Sequence, residues 1–135
     1  MDTIVVRHSP IHGHGVFAAR RFDPGDVVLD WSGCSDVLTD DEVHALPPEE
    51  RIFVSVIDGQ NILFRPPARF INHSCNPNAR GHDRHDIATR VIETGEEITV
   101  DYLAEQVPGL RLTCTCHEPN CRGLLIVPET GTEAL

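Results

Sequence analysis

The sequence predicts a mostly β protein built from several short strands, with one short helix and an irregular, cysteine-bearing tail. Three observations carry this reading. Short stretches rich in Val, Ile and Phe alternate with Gly, Pro, Asp and Asn turn signals along most of the chain. A single segment carries the start signal of a helix. From Val107 onward hydrophobic periodicity disappears, and prolines and cysteines punctuate the chain.

Taken in order, "GVFAARRF" reads as extended and runs into "DPGD", where Pro24-Gly25 marks a turn, and "VVLDW" follows as a strand. "TDDEVHAL" predicts the helix. Thr39 and Glu42 have the spacing of a capping box, acids fill the first turn, and Pro47-Pro48 is expected to end it. The acids Asp40 to Glu42 serve capping and solvation. "RIFVSVI" and "NILF" predict strands around a "DGQ" turn. "DIATRVIE" and "EEITVDYL" predict a pair of strands around Gly95. The cluster "GHDRHD", Gly81 to Asp86, suggests a second metal site from His82, Asp83, His85 and Asp86, but reads better as a solvated loop.

Bulk properties narrow the function. A chain of 135 residues, 40% apolar and 24% charged, is expected to form one soluble domain with a modest core. No apolar run is long enough for a bilayer, and "MDTIVVRHSP" lacks the basic-then-apolar pattern of a signal segment. The expectation is a mature intracellular protein, cytoplasmic with the nucleus also open, whose thiols stay reduced. A net charge of −10, from 11 basic against 21 acidic residues, argues against direct nucleic-acid binding and suits a cationic protein segment. All the basic residues are arginines; lysine is absent.

Cys114, Cys116 and Cys121 stand in a C-x-C-x4-C spacing, three ligands where a closed zinc site needs four. Candidates for the fourth are His117, Cys34 and Cys75. His117 follows Cys116 directly, so its side chain tends to point away from the face shared by Cys114 and Cys116. Cys34 has no polar company. Cys75 lies in "RFINHSCNPNAR", a segment whose Asn, His, Ser and Pro content favours irregular, site-building loops.

"RFINHSCNPN" (Arg69 to Asn78), then "GEEITVDY" (Gly95 to Tyr102), then the three clustered cysteines resemble the SET-domain protein methyltransferases with their post-SET zinc segment. "HGHGVFAARRFDPGDVVLDWSG" resembles the N-terminal Gly-x-Gly strand pair of that family. The likeness runs from about Ile4 to Leu125. It implies a fold of several short twisted sheets with a knot-like C-terminal threading, a SET domain over 4–106, a post-SET zinc-binding segment over 107–125, and a flexible tail over 126–135. It also makes Cys75 the fourth thiolate of one structural zinc ion. A structural zinc site carries apparent energies of roughly 10–16 kcal/mol, comparable to a whole domain's net stability of about 5–15 kcal/mol.

The resemblance further implies that S-adenosylmethionine binds along the backbone of His12, Gly13, His14 and Gly15. Asn72 and His73 are expected to hold its methionine and adenine parts largely through the main chain, with Leu124 or Leu125 over the adenine. Tyr102, the one tyrosine in the chain, matches the family's catalytic tyrosine. The implied activity is protein-lysine N-methyl transfer onto a basic, lysine-containing segment, by in-line attack of a neutral amine on a sulfonium methyl. Alignment of this kind can contribute roughly 7–11 kcal/mol. Many family members carry a second tyrosine in the strand before the NHSC motif. Here Ile52 and Phe53 stand in its place and would line the substrate channel with Tyr102; Phe53 offers an aromatic wall but no hydroxyl.

A rival reading is a catalytically weak, zinc-stabilised interaction module that keeps the fold. A thiol-redox protein is less consistent, since only Arg111 and Arg122 are basic near the cysteines.

Overall fold

The computed structural model describes residues 3–105 and 110–127. Four small sheets and a few single-turn helices make up the fold. Strands β1 (Ile4–His8) and β2 (His14–Ala18) form an antiparallel pair, and β3 (Val27–Asp30) leads through a tight turn into β4 (Ser35–Leu38). Helices α1 (Asp40–Ala45) and α2 (Pro48–Arg51) follow, then the hairpin of β5 (Val54–Ile57) and β6 (Gln60–Phe64). Beyond a 3-10 turn at Ala68–Phe70 come β7 (Asn72–His73), β8 (Ala79–His82), β9 (His85–Ala88) and β10 (Glu97–Val100). Helix α3 (Tyr102–Glu105) and the hairpin strands β11 (Arg111–Thr113) and β12 (Leu124–Ile126) complete the described chain. The sheets run β1-β2-β10-β7, β3-β9-β8, β4-β6-β5 and β11-β12. Among the described residues no helix is long and apolar enough to cross a membrane.

Local signals account for the short elements. The capping box of α1 is formed: Glu42 N–H donates to Thr39 Oγ1 at 3.1 Å, and Thr39 N–H to Glu42 Oε1 at 2.9 Å. The prolines end α1 as expected, but Pro48 then takes the first position of α2, where its missing N–H costs nothing. Asp58-Gly59 makes the β5–β6 turn with both φ angles positive (51° and 75°), the conformation that suits a two-residue hairpin.

Two expectations are corrected. Residues 81–86 are not a solvated loop: they form the β8–β9 hairpin, turned by Asp83 and Arg84 at φ 49° and 65°, with Asp86 buried. Strands β9 and β10 do not pair across Gly95. Instead β9 lies between β3 and β8, and β10 lies between β2 and β7, antiparallel to the first and parallel to the second.

The reason is a reciprocal exchange between two similar strand–turn–strand units. Phe22 and Ile92 swap both backbone hydrogen bonds, at 2.8 and 2.9 Å. Gly25 N–H reaches Ala88 C=O while Gly95 N–H reaches Ala18 C=O, both at 2.8 Å. Each turn is closed by its own acid, Asp26 onto Asp23 N–H and Glu96 onto Glu93 N–H. The exchange buries one core from both units, including Val16, Ala18, Phe22, Val28, Ala88, Ile92, Ile98 and Val100. A second cluster packs Trp31 edge-on against Phe64, with ring centroids 5.0 Å apart, beside Cys34, Ile62 and Ala68.

Asn78, 2% exposed, pins β10 from the side. Its Nδ2 donates to Glu97 C=O at 2.8 Å and its Oδ1 accepts from Thr99 N–H at 2.9 Å. Replacing Asn78 by Ala leaves two buried backbone groups unpaired. The expected cost is about 2–3 kcal/mol, read as a lower urea midpoint at unchanged m-value.

Candidate functional site

A cavity of about 700 Å3 lies between the β1–β2 loop, the Asn72–His73 strand, Tyr102 and the C-terminal hairpin. Val100 of β10 lines it together with residues of β7, β9, β11 and the β1–β2 loop.

The β1–β2 loop is held open by a polar knot. Ser9 Oγ donates to the Glu97 carboxylate at 2.8 Å and accepts from Ile11 N–H at 2.9 Å. The Asn72 amide lies 2.9–3.0 Å from three acceptors: His12 C=O, His14 C=O and Glu97 Oε2. Gly13 takes a left-handed φ of +45°, a region L side chains rarely adopt. At Gly15 the reason for glycine is different: a Cβ there would collide with the Glu97 carboxylate and reach 3.0 Å from Ser9 Cβ. His12, Gly13 and His14 therefore line the cavity, whereas Gly15 faces the knot behind it.

His73 is buried and bonded at both ring nitrogens. Nδ1 accepts from Tyr102 N–H at 3.0 Å, which leaves the ring proton on Nε2, 3.3 Å from Cys75 Sγ. Burial pushes its pKa down, so the ring is neutral at physiological pH. Tyr102 stacks obliquely on it with ring centroids 5.4 Å apart, and the Tyr102 hydroxyl donates to Ile71 C=O at 2.5 Å. That bond fixes the hydroxyl and orients its lone pairs.

The tail roofs the cavity. Thr115 Oγ1 donates to Ile11 C=O at 2.7 Å, Asn120 Nδ2 to Cys75 C=O at 2.8 Å, and Arg122 N–H to Cys75 Sγ at 3.3 Å. Arg122 also grips the Asp101 carboxylate with both guanidinium nitrogens, at 3.1 and 3.2 Å.

The sulfurs of Cys75, Cys114, Cys116 and Cys121 all lie within 4.8 Å of one another, and Cys75 Sγ is 3.7 Å from Cys114 Sγ. A tetrahedral site with metal–sulfur bonds near 2.3 Å has sulfur–sulfur edges of about 3.8 Å, so the four thiols can hold a metal ion. The other two candidates for the fourth ligand sit elsewhere: Cys34 is buried in the Trp31 cluster, and His117 takes a left-handed φ of 63° outside the group. Among the described residues no second group of this kind exists.

Several placements differ from expectation. Leu124 is 44% exposed and does not reach the cavity wall, and Leu125 is fully buried beneath the hairpin. The wall is formed by the facing strand and its flanks, Leu110 to Thr115. Ile52 sits at the cavity edge, 63% exposed. Phe53 lines the cavity, but the Arg69 guanidinium already covers one face of its ring at 4.1 Å, itself held by Glu50 at 3.0 Å and by Phe64 C=O at 3.0 Å.

The domain defined by this fold and cavity is one of the SET domains. The family model described as "SET domain" matches residues 13–103, and the chain belongs to that family. It is 35% identical over 124 residues, 87% of its length, to a protein of Yarrowia lipolytica named Histone-lysine N-methyltransferase SET9. It is 32% identical over 151 residues to the human Histone-lysine N-methyltransferase 2B and 33% identical over 146 residues to the Arabidopsis thaliana Histone H3-lysine(4) N-trimethyltransferase ATX1, covering 92% and 93% of the chain. The chain spans 14%, 5% and 13% of the lengths of these three relatives.

Asp86, which the sequence analysis assigned to a solvated loop, is a wall residue of the cavity. It is 3% exposed, and its Oδ2 accepts from the Trp31 indole N–H at 3.0 Å. Burial pushes its pKa up to about 6. An unfolded aspartate titrates near 4, so the folded state holds the proton more tightly between pH 4 and 6. That contribution to stability is complete below pH 4 and lost as pH rises through about 6. Asp86→Asn is therefore expected to raise Tm relative to wild type at pH 8 and to change the difference little at pH 4. Calorimetric melting of both proteins at the two pH values checks this.

Proposed function

We propose that this domain transfers methyl groups from S-adenosylmethionine to a lysine on a protein, and that one structural zinc ion holds its tail closed. The observation that carries the reading is the convergence on one cavity of the loop at His12–His14, the strand Asn72–His73, Tyr102 and a tail tied to Cys75. The domain boundaries that fit this reading are a SET unit over 4–106 and a zinc-binding segment over 107–125; residues 128–135 lie outside the described chain.

The residues fit both groups. Four thiols at tetrahedral separation suit zinc, a borderline-soft ion that favours sulfur. The cavity volume falls within the 300–1,000 Å3 typical of ligand sites. In its loop wall Gly13 has no Cβ, and the Asn72 amide is drawn to the loop carbonyls of His12 and His14. S-adenosylmethionine supplies an activated methyl group on a positively charged sulfur.

What the chain contributes is placement. The backbone of His12 to His14 and of Asn72 and His73 would receive the amino-acid and adenine ends. Tyr102, anchored through its hydroxyl to Ile71 C=O and through its N–H to His73, would orient the incoming amine along the line of attack. The unprotonated nitrogen of neutral His73, Nδ1, already accepts from Tyr102 N–H, so the ring is not available as the base. The roof from Leu110 to Thr115 limits water around the reacting atoms. The relatives' names point to histone-type tails as the kind of acceptor, and a net charge of −10 suits such a basic segment. Those names also favour a chromatin-bearing location over the cytoplasm.

Calorimetric titration of S-adenosylmethionine into protein of measured zinc content tests the reading. Binding at one per chain is expected, with affinity lost when zinc is stripped. Failure of the zinc-loaded protein to bind would favour the interaction module. Tyr102→Phe is expected to bind the cofactor within about twofold of wild type yet lose on the order of 100-fold or more in transfer to a histone-type peptide; unchanged turnover would remove Tyr102 from the mechanism.

A further inference from the structure

We propose that Arg122 is a positioning residue for Tyr102: its guanidinium makes the placement of that tyrosine depend on closure of the cysteine-bearing tail. The inference rests on the methyltransferase reading and adds to it the link by which the tail reaches the reacting centre.

Arg122 bonds in two directions at once. Its backbone N–H donates to Cys75 Sγ at 3.3 Å, while its side chain donates to Asp101, Nη1 to Oδ1 at 3.2 Å and Nη2 to Oδ2 at 3.1 Å. Asp101 is the residue before Tyr102, and its Oδ1 also accepts from Leu103 N–H at 3.0 Å, spanning the first residue of α3. The same oxygen lies 3.7 Å from His73 Nδ1, the atom that receives Tyr102 N–H at 3.0 Å. One carboxylate thus stands beside the bonds that hold the Tyr102 backbone on both sides, and a residue of the tail sets its plane. Thr115 and Asn120 fasten the tail elsewhere, to Ile11 C=O and Cys75 C=O.

Two parallel N–H···O bonds from a planar guanidinium fix the orientation of a carboxylate as a single bond does not. Here that orientation keeps Oδ1 on Leu103 N–H, and the positive charge offsets the repulsion between Oδ1 and the Nδ1 lone pair beside it. The pair is partly exposed, Arg122 at 41% and Asp101 at 21%, so it adds little to global stability. Its effect is local. Reacting groups displaced by about 1 Å can lose on the order of 100-fold in rate, so a small loosening at Asp101 matters at Tyr102 while the core is untouched. Placement of Tyr102 and retention of zinc are separable, because substitution removes the guanidinium but keeps the backbone N–H at Cys75 Sγ.

Tyr102 is the one tyrosine in the chain, so isotope-labelled tyrosine gives a single backbone amide signal, that of the N–H bonded to His73. In the zinc-loaded full chain, Arg122→Ala is expected to speed hydrogen exchange of this amide by about threefold to fivefold. It is expected to keep zinc at one per chain, to hold S-adenosylmethionine within about twofold of wild type, and to lower kcat on a histone-type peptide roughly tenfold at unchanged KM. Arg122→Lys, with the charge but not the fork, is expected to lie between the two, and salt at about 0.5 M to move wild type toward the alanine variant. Unchanged exchange at Tyr102, or unchanged kcat, in zinc-loaded Arg122→Ala protein overturns the proposal. So does loss of zinc from that variant, which makes Arg122 part of the metal clamp alone. If the variant does not fold, Asp101→Asn, which weakens the same pair from the other side, is read by the same amide. Should wild type bind no S-adenosylmethionine, the methyltransferase reading falls, and the exchange comparison still decides whether Arg122 holds Tyr102.

Discussion

Strand β10 is the constraint on which the remaining structure depends. Its N-terminal half pairs antiparallel with β2, Glu97 opposite Phe17 and Ile98 opposite Val16, and its C-terminal half pairs parallel with β7, Thr99 opposite Asn72 and Val100 opposite His73. Four residues thus fix the positions of the β1–β2 loop, the Asn-His pair and, two residues on, Tyr102. A slip of one residue would exchange the buried face for the open one and detach Glu97 from Ser9 and Asn72. The reciprocal bonds of Phe22 with Ile92 hold that register, because β10 can shift only if the partner unit shifts with it.

The roof has no comparable frame. Strands β11 and β12 form an isolated two-stranded sheet, a unit that is marginal alone in water. It is tied down by the bonds of Asn120 and Arg122 to Cys75 and by the double contact of Arg122 with Asp101, beside four thiols that could hold a metal ion. His73 joins this fastening to Tyr102, with one ring nitrogen at Cys75 Sγ and the other at Tyr102 N–H. Changing the charge on Cys75 therefore acts on the backbone that carries Tyr102 through a single rigid ring.

Local chemistry was legible in the sequence, and long-range partnership was not. The capping box at Thr39, the Asp58-Gly59 turn and the cysteine spacing each depend on neighbours within a few residues, and each is found as expected. The pairing around Gly95 failed because two alternating strands separated by a turn look the same whether they pair with each other or exchange partners with a similar unit 70 residues away. Leu124 was chosen for its place after the last cysteine, yet the hairpin presents its other strand to the cavity. Asp86 was hidden for a related reason: "GHDRHD" is polar throughout, and only the fold of β9 against Trp31 separates the buried acid from its exposed neighbours.

That buried acid bears on how the cavity can handle charge. Its wall carries Arg69 and Arg111 against one carboxylate, inside a chain that is otherwise acidic. Arg69 is neutralised by Glu50 and screens the ring of Phe53, so the aromatic wall offers a cation little on that face. With the Trp31 indole as its one donor among the described residues, the buried Asp86 carboxylate costs the folded state stability as pH rises through about 6.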